Sequence, residues 1–594
     1  MSDFLLFDKV FKAYETQKGK ENVVFEDFSL KILKSNHLLC LTGPDGAGKS
    51  TFLKMLSGLT KPDRGEVRLL GERCDIKNIA FTSKIGYMSQ TLGLYKDMTV
   101  YENLCLISGL KGFDLKNNQQ YLIDLLKKVD LFRFKDCAAG SLSGGMKQKL
   151  ALTCALSCNP QVLILDEPTV GVDPVSRIDL WEIISDYLKK TSGFCIFTTA
   201  YLEEAQQADE VLMFNEGSII KNDSPKKLFS LCEGKTYALK LFNLNYQHYA
   251  RSMMFKTKSY VKNSPIIDVC PREGNIDLLL DESASYEQLR DFLKQNYPDD
   301  YKNFQVNKRP CILEDVYINE TQDHKSSAPK VPEHIDFLKN SQDLSQTVID
   351  VCDIKKVFGK FTAVEKSNFK VHKGEIFGLL GPNGAGKTTT FRMICALLSP
   401  TSGHVLVNGF DLRYAKSGAR ATIGYVSQKF SLYRSLTTYQ NLEYFGRSYG
   451  LYGSYLKERI FELLEDFSLK KYLNVQAGSL PFGIQRQLSM ACALIHKPKI
   501  LFLDEATSGA DPKARRNFWN RINILSAQGT SIIVTTHFME EAEYCDRFLI
   551  QDHGKILVLG SPDEICKQDG KRISVMHAFI KKVHEFRKNL EEDK

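Results

Sequence analysis

The sequence predicts an α/β protein of two related units, each built on a largely parallel sheet, with a small α+β appendage between them. Three observations carry this: a long internal duplication, apolar strand-like runs without polar alternation, and a glycine-rich loop between a strand and a helix in each copy. With 594 residues, the chain has room for about four domain-sized units, or two large ones with appendages. Hydrophobic residues make up 43% and charged residues 25%, an ordinary globular balance that excludes disordered, fibrous and disulfide-scaffold classes.

The duplication is direct. LTGPDGAGKSTFLKMLSGL near residue 41 recurs as LLGPNGAGKTTTFRMICALL near residue 379. Lys49 and Lys387, Gln90 and Gln428, Gly145 and Gly483, Asp166 and Asp504, and Asp173 and Asp511 are all separated by one constant interval, which shortens by a residue only at Thr199 and Thr536. Each copy opens with a strand-like run (HLLCLTG, EIFGLLG) and carries a second buried strand (QVLILDE, KILFLDE). Apolar strands of this kind fit a parallel sheet covered by helices on both faces.

The boundaries follow in order. Residues 1–228 form the first unit and 229–320 the appendage, in which YALKLFNL, PIIDVC and NIDLLLDE are strand-like, SYEQLRDFLKQNY is helical and CILEDVYI is a closing strand. Residues 321–347, polar and holding two prolines, form a linker. The second unit spans 348–566. A basic tail, 567–594, is helical, with Met576, Phe579, Ile580, Val583, Phe586 and Leu590 near one face. That face docks on its own unit, or in an alternative reading meets an anionic membrane surface.

The net charge of +8 is too small over this length to demand a nucleic-acid or membrane partner. The fifteen cysteines include no C-x-x-C pair, and Cys40, Cys154, Cys195, Cys395 and Cys492 sit singly in apolar segments. They read as reduced thiols of a cytosolic protein. The N-terminus shows no secretion signal, and no apolar run reaches the roughly 18 to 20 residues needed to span a bilayer. A membrane role would therefore come through partners.

The loops Gly43-Pro44-Asp45-Gly46-Ala47-Gly48-Lys49-Ser50-Thr51 and Gly381-Pro382-Asn383-Gly384-Ala385-Gly386-Lys387-Thr388-Thr389 match the phosphate-binding pattern G-x-x-x-x-G-K-[ST]. Glycines let successive backbone N–H groups turn inward around phosphate oxygens, and the following helix adds its positive end. Lys49 and Lys387 are expected to reach the β- and γ-phosphates, while Ser50 and Thr388 supply hydroxyls to a magnesium ion. Each second strand ends in a carboxylate pair, Asp166-Glu167 and Asp504-Glu505. The aspartate completes the magnesium shell and the glutamate orients the attacking water.

LSGGM at Leu142–Met146 lies between the phosphate loop and the Asp166 strand. With this motif, the chain resembles tandem ATP-binding-cassette ATPases, over both repeats. The resemblance implies two P-loop nucleotide-binding domains, each a parallel-sheet core plus a helical subdomain, that bind ATP and Mg2+. It makes Ser143, Gly144 and Gly145 signature residues, with Gly483 their counterpart in the second copy. It makes Gln90 and Gln428 the Q-loop glutamines beside the metal, Asp173 and Asp511 the D-loop ends, and His537 a switch histidine acting with Glu505 and Glu167 in catalysis. Tyr14 and Phe358 take the place of the ring that stacks on adenine, with core packing as the alternative. The segments LGLYKDMTVYENL and FSLYRSLTTYQNL are similar to those of ABC-2-type exporter ATPases. That implies a cytosolic motor at the inner face of the cell membrane, bound to two separate permease subunits and with no nucleic-acid partner. The two cassettes would form an intramolecular head-to-tail dimer.

The departures are as telling as the matches. The second signature reads LPFGI, with Pro481 and Phe482 replacing serine and glycine, and Ala200 stands where the second copy has His537. Proline lacks an N–H and phenylalanine fills space needed for close backbone approach. Under head-to-tail pairing, one site combines Lys49, Glu167 and Ala200 with the damaged loop. The other combines Lys387, Glu505 and His537 with intact Ser143 and Gly144. The expectation is one competent and one impaired ATP site. Soluble tandem cassette proteins that act on the ribosome are the alternative class. Intact signatures in both halves and a charged helical linker would mark them, and this sequence has neither.

Overall fold

The computed structural model describes residues 4–15, 21–33, 38–191, 193–321, 337, 343–428, 431–568 and 570–592. The chain divides into two compact units. One comprises Met1–Leu231, Ile312–Glu320 and Gly509–Asp511; the other comprises Cys232–Cys311, Thr321–Ser508 and Pro512–Lys594.

In the first repeat the apolar runs build a six-stranded sheet in the order Ser218–Asp223, Glu210–Asn215, Leu38–Thr42, Phe194–Thr198, Val162–Leu165 and Ile85–Met88. Its pairings are parallel except for the hairpin that joins the first two strands. Val162–Leu165 and Phe194–Thr198 are buried at every position, which explains their unbroken apolar sequence. A four-stranded antiparallel sheet, Glu21–Ile32, Leu5–Glu15, Arg64–Leu69 and Glu72–Arg73, forms a second layer. Phe52, on helix Lys49–Leu56, joins the layers: its ring stacks on Phe7 of the antiparallel sheet at 4.3 Å and meets Phe214 of the parallel sheet edge-on at 5.5 Å. Helices Val100–Leu110, Gln119–Lys128 and Gly144–Leu156 share a separate core that includes Leu104, Leu122, Leu126 and Leu150.

The second repeat repeats this plan. Its six-stranded sheet runs Ile423–Val426, Ile500–Asp504, Ser531–Thr535, Ile376–Leu380, Arg547–Asp552 and Lys555–Gly560, and its antiparallel layer begins with Asp343–Phe358 and Phe361–Lys373. Its helical part contains Thr438–Ser448, Gly453–Asp466 and Phe482–Leu494. The first of these starts at a reciprocal cap, in which Thr437 and Gln440 exchange side-chain to backbone hydrogen bonds. The corresponding helix of the first repeat starts the same way with Thr99 and Glu102.

The appendage is α+β: a four-stranded antiparallel sheet in the order Ile266–Arg272, Asn275–Leu280, Thr236–Leu241 and Phe304–Lys308, with helices Tyr246–Met254 and Tyr286–Asn296. The expected appendage of 229–320 divides, because Cys232–Cys311 belong to the second unit and Ile312–Glu320 to the first. CILEDVYI, expected as a closing strand, is instead helix Leu313–Glu320. The sheet is completed upstream, by Phe304–Lys308. Leu313, Val316 and Tyr317 are buried at helical spacing, and the Asp315 carboxylate accepts a hydrogen bond from the Ile312 N–H at 2.9 Å, which starts the turn. The expected linker, 321–347, lies outside the described residues apart from 321, 337 and 343–347. The second repeat's first strand already begins at Asp343, ahead of the expected boundary at 348.

The tail forms helix Val575–Glu592, which buries Val575, Ala578, Phe579 and Val583 and joins Asp552 through Arg587 at 2.8 Å. It therefore docks on its own repeat. All fifteen cysteines are free, and the five singled out above are buried, whereas Cys137 is exposed. Among the described residues no helix is long and apolar enough to cross a membrane.

Because Phe52 fills the junction between both layers, Phe52→Ala should destabilise the chain by about 3–5 kcal/mol. Denaturant unfolding followed by far-UV circular dichroism checks this; a loss below 1 kcal/mol would mean that the junction collapses around the gap.

Candidate functional site

Each phosphate loop leaves the end of a central strand and enters a helix. The backbone passes so close to the adjacent strand that a Cβ on Gly43 would lie 2.3 Å from the Phe214 carbonyl oxygen, and one on Gly381 would lie 2.2 Å from that of Gln551. Only glycine fits there. The Lys49 ammonium donates to the carbonyls of Gly43 and Pro44 at 2.6 and 2.9 Å, and Lys387 does the same to Gly381 and Pro382 at 2.6 and 2.9 Å. Both lysines thus arch over their loops. Ala47 and Ala385 are buried, with their N–H groups donating to Pro44 and Pro382, while Gly46 and Gly384 at the loop tips are exposed.

The carboxylate pairs lie beside these loops. Asp166 accepts from the Ser50 hydroxyl at 3.2 Å and from Thr198 at 2.8 Å; Asp504 accepts from Thr535 at 2.8 Å. Hydroxyl and carboxylate oxygens of this kind are the donors a hard divalent cation takes. The Gln90 amide donates to Glu167 at 2.6 Å and Gln428 to Glu505 at 2.5 Å. Glu167 and Glu505 occupy the left-handed region, at φ 50° and 49°, a conformation costly for a side-chain-bearing residue and concentrated at functional sites. The Thr198 and Thr535 hydroxyls accept from the Glu167 and Glu505 N–H groups at 2.8 and 3.0 Å and so help to fix that geometry.

The repeats diverge at the switch position. His537 Nε2 lies 2.6 Å from Glu505 Oε1. Ala200 offers Glu167 no such partner. Burial pushes the Glu167 carboxyl up to about 7, opposed by Lys49 and reinforced by Asp166 and Asp45. Burial acts upward on Glu505 as well, but the His537 hydrogen bond and charge, with Lys387 and Gln428, outweigh it and leave that carboxyl below its ordinary value. Near neutrality, Glu505 is a carboxylate while Glu167 is divided between acid and base.

The signature segments open the helices Gly144–Leu156 and Phe482–Leu494. Ser143 caps the first by accepting from the Met146 N–H at 3.3 Å. Pro481 occupies the same position without a side-chain cap, although its carbonyl accepts from Ile484 and Gln485 at 2.9 Å, so the helix still starts. Ser143 and Gly144 are exposed and Gly145 is buried, packed so closely that an added Cβ would meet Ser176 Oγ at 3.0 Å; Gly483 has open space. Phe482 is 49% exposed beneath the Arg486 guanidinium. Tyr14 and Phe358 are 39% and 49% exposed, so neither is a core residue, and each lies under a lysine, Lys12 or Lys356. Thr388 is exposed, and Thr51 and Thr389 are half-buried.

A buried pair went unread in the sequence. Glu204 accepts from Thr169 and Thr199 at 2.9 and 2.6 Å, and Glu541 accepts from Thr507 and Thr536 at 2.9 and 2.5 Å. These glutamates tie the segment after the Asp166 or Asp504 strand to the segment after the next strand, where Ala200 or His537 stands. Their signal was available, since T-T and E-E-A recur at matching positions of both copies.

Residues 25–170 and 364–508 each match the family described as "ABC transporter". The chain is 39% identical over 560 residues, 94% of each chain, to the "Probable multidrug ABC transporter ATP-binding protein YbhF" of Escherichia coli (strain K12). The chain belongs to the ABC transporter family. It is a tandem ATP-binding-cassette ATPase, each cassette binding ATP. The "Nod factor export ATP-binding protein I" of Rhizobium sp. (strain N33) is 42% identical over 226 residues, 38% of this chain and 74% of that protein. The "Linearmycin resistance ATP-binding protein LnrL" of Bacillus subtilis (strain 168) is 39% identical over 219 residues, 37% of this chain and 70% of that protein. The ribosomal alternative finds no support in these relatives.

The cassettes' unequal carboxyls generate a test by carboxyl-carbon NMR on the nucleotide-free chain. Ala200→His should bring the Glu167 midpoint down from about 7, and His537→Ala should raise that of Glu505. Midpoints that stay put would separate the switch residue from the charge of its neighbour.

Proposed function

We propose that this chain is the ATP-hydrolysing subunit of an ABC-2-type exporter, driving efflux through two separate membrane permease subunits, with one competent and one degenerate ATP site. The 2.6 Å contact between His537 and Glu505, with Ala200 at the matching position of the first cassette, carries the asymmetry. The names of the relatives, which specify multidrug transport and Nod factor export, support the export assignment. On this reading the chain works at the cytoplasmic face of the cell membrane.

In the second cassette, Lys387 and the loop Gly381–Thr389 hold the phosphates. Glu505, kept ionised by His537 and Gln428, takes a proton from the attacking water. The first cassette binds through Gly43–Thr51, but Glu167 must first lose the proton that burial favours. Tyr14 and Phe358 offer flat faces for adenine. Ser50, Gln90 and Asp166 in one site, and Thr388, Gln428 and Asp504 in the other, would hold magnesium, which supplies charge neutralisation at the phosphates when bound. Head-to-tail closure brings Ser143 and Gly144 to the second cassette's nucleotide and the Pro481 loop to the first's. A tether between cassettes keeps their effective concentration near millimolar, so that closure is intramolecular.

Glu505→Gln should remove most ATPase activity, whereas Glu167→Gln should leave most of it; equal losses at pH 7 would contradict the asymmetry. In the Glu505→Gln chain, the residual rate should rise with pH through about 7, because only the deprotonated Glu167 serves as base. Affinity purification after mild detergent extraction should recover hydrophobic membrane subunits. Recovery of ribosomal subunits in their place would overturn the export reading.

A further inference from the structure

The appendage spends its best-buried polar contacts on one short stretch of the second cassette, the turn Met539–Tyr544 and the two residues after it, directly beyond His537. Helix Tyr246–Met254 supplies most of them. The Gln247 amide donates to the Glu543 carbonyl at 3.0 Å and to that of Cys545. Arg251 donates to the Tyr544 carbonyl at 2.9 Å and pairs with Asp546 at 2.8 Å, both side chains buried. The Tyr246 hydroxyl donates to the Glu543 carboxylate, which Arg572 also holds at 2.7 Å. From the appendage sheet, Asp268 accepts from Arg516 at 3.0 Å, and Arg516 in turn donates to the Tyr544 hydroxyl at 3.1 Å. The Tyr544 ring stacks on Trp519 at 4.6 Å.

Three backbone carbonyls in a row are thereby fixed from outside the cassette. Asp546 extends the connection inward: its carboxylate accepts from the Ile376 N–H at 2.8 Å, at the start of the strand that runs into the Gly381 loop. In the first cassette, Asp209 makes the matching contact with Leu38 at 2.9 Å. There, however, Gln206 and Gln207 stand where the second cassette has Glu543 and Tyr544. Each cassette has a following helix against this segment, Leu313–Glu320 in the first and Val575–Glu592 in the second. In the second cassette the appendage helix joins it as well.

We propose that the appendage is the positioning element of the second ATP site. Docking of helix Tyr246–Met254 fixes the segment after His537, holds the imidazole against Glu505, and makes turnover depend on the appendage. Tyr246, Gln247 and Arg251 are positioning residues, since they act through His537 and touch no nucleotide. This rests on the reading of the second site as the one that turns over ATP. The appendage's free faces become places from which that site can be slowed without contact with nucleotide.

The test uses the full chain carrying Tyr246→Phe with Gln247→Leu, which removes three hydrogen bonds to the segment and leaves apolar side chains of similar size in their place. At saturating ATP and magnesium, kcat should fall between about tenfold and a hundredfold, as misplacement of a catalytic group does, while KM for ATP stays within about twofold. The imidazole signal of His537 in the nucleotide-free, 15N-histidine-labelled chain, assigned by its loss in His537→Ala, should shift or broaden. An unchanged signal with unchanged kcat overturns the proposal, as does a matched loss in kcat and rise in KM with the signal unmoved. If Glu505→Gln leaves the rate intact, the assignment of the working site fails, yet the His537 signal still decides whether the appendage positions it. Should the double variant not fold, Gln247→Asn, whose amide is one methylene short of the carbonyls, takes its place.

Discussion

A carboxylate removed from water beside another carboxylate must find donors or take up a proton, and that constraint organises both ATP sites of this chain. Glu167 and Glu505 stand at matching places, in the same strained backbone conformation, each bonded to a glutamine. The imidazole of His537 is the main difference, and Asp45 of the first loop, where the second has Asn383, acts in the same direction. With His537 the carboxyl stays ionised; with Ala200 burial prevails and the group titrates near neutrality. On the proposed reading, two copies of one fold differ chiefly in the group that faces this glutamate, Ala200 in the first and His537 in the second.

The second departure, Pro481-Phe482 in place of serine and glycine, lies far along the chain from Ala200, yet the head-to-tail pairing proposed above would bring both to one nucleotide. Its local effect is modest: the helix still begins, because the Pro481 carbonyl accepts the first turn's N–H groups. What it removes is a side-chain cap and a backbone donor, and it adds a half-exposed ring. Such a loop retains its structural role, and on the proposed reading its grip on phosphate is the part that suffers. The appendage adds to the inequality in the other direction, since its buried hydrogen bonds brace the segment following His537.

Much of this was legible in the sequence. The phosphate loops, the carboxylate pairs and the central strands are local patterns, and burial on both faces leaves an apolar signature that survives reading one residue at a time. The departures at Ala200 and Pro481 were visible because each copy serves as a reference for the other. Helix Leu313–Glu320 was misread as a strand because a short run with four buried apolar residues fits either period until the acidic first turn is weighed. The strand Phe304–Lys308 went unread, half-buried and polar at alternate positions. The buried glutamates Glu204 and Glu541 went unread, each the second member of an E-E pair whose burial no local pattern announces. The destination of the appendage was not legible at all, because chain order places it beside the first cassette, whereas its hydrogen-bonding partners, Glu543 to Asp546, come from the second.

The central claim, that hydrolysis is confined largely to the second cassette, is tested most directly by following the fate of the γ-phosphate at each site separately. The chain is loaded with a photoreactive ATP labelled on the γ-phosphate, allowed brief turnover, cross-linked and digested. The account predicts label retained on peptides of the first cassette around Tyr14 and Lys49, and lost from those around Phe358 and Lys387. Loss at equal rates from both cassettes would contradict it.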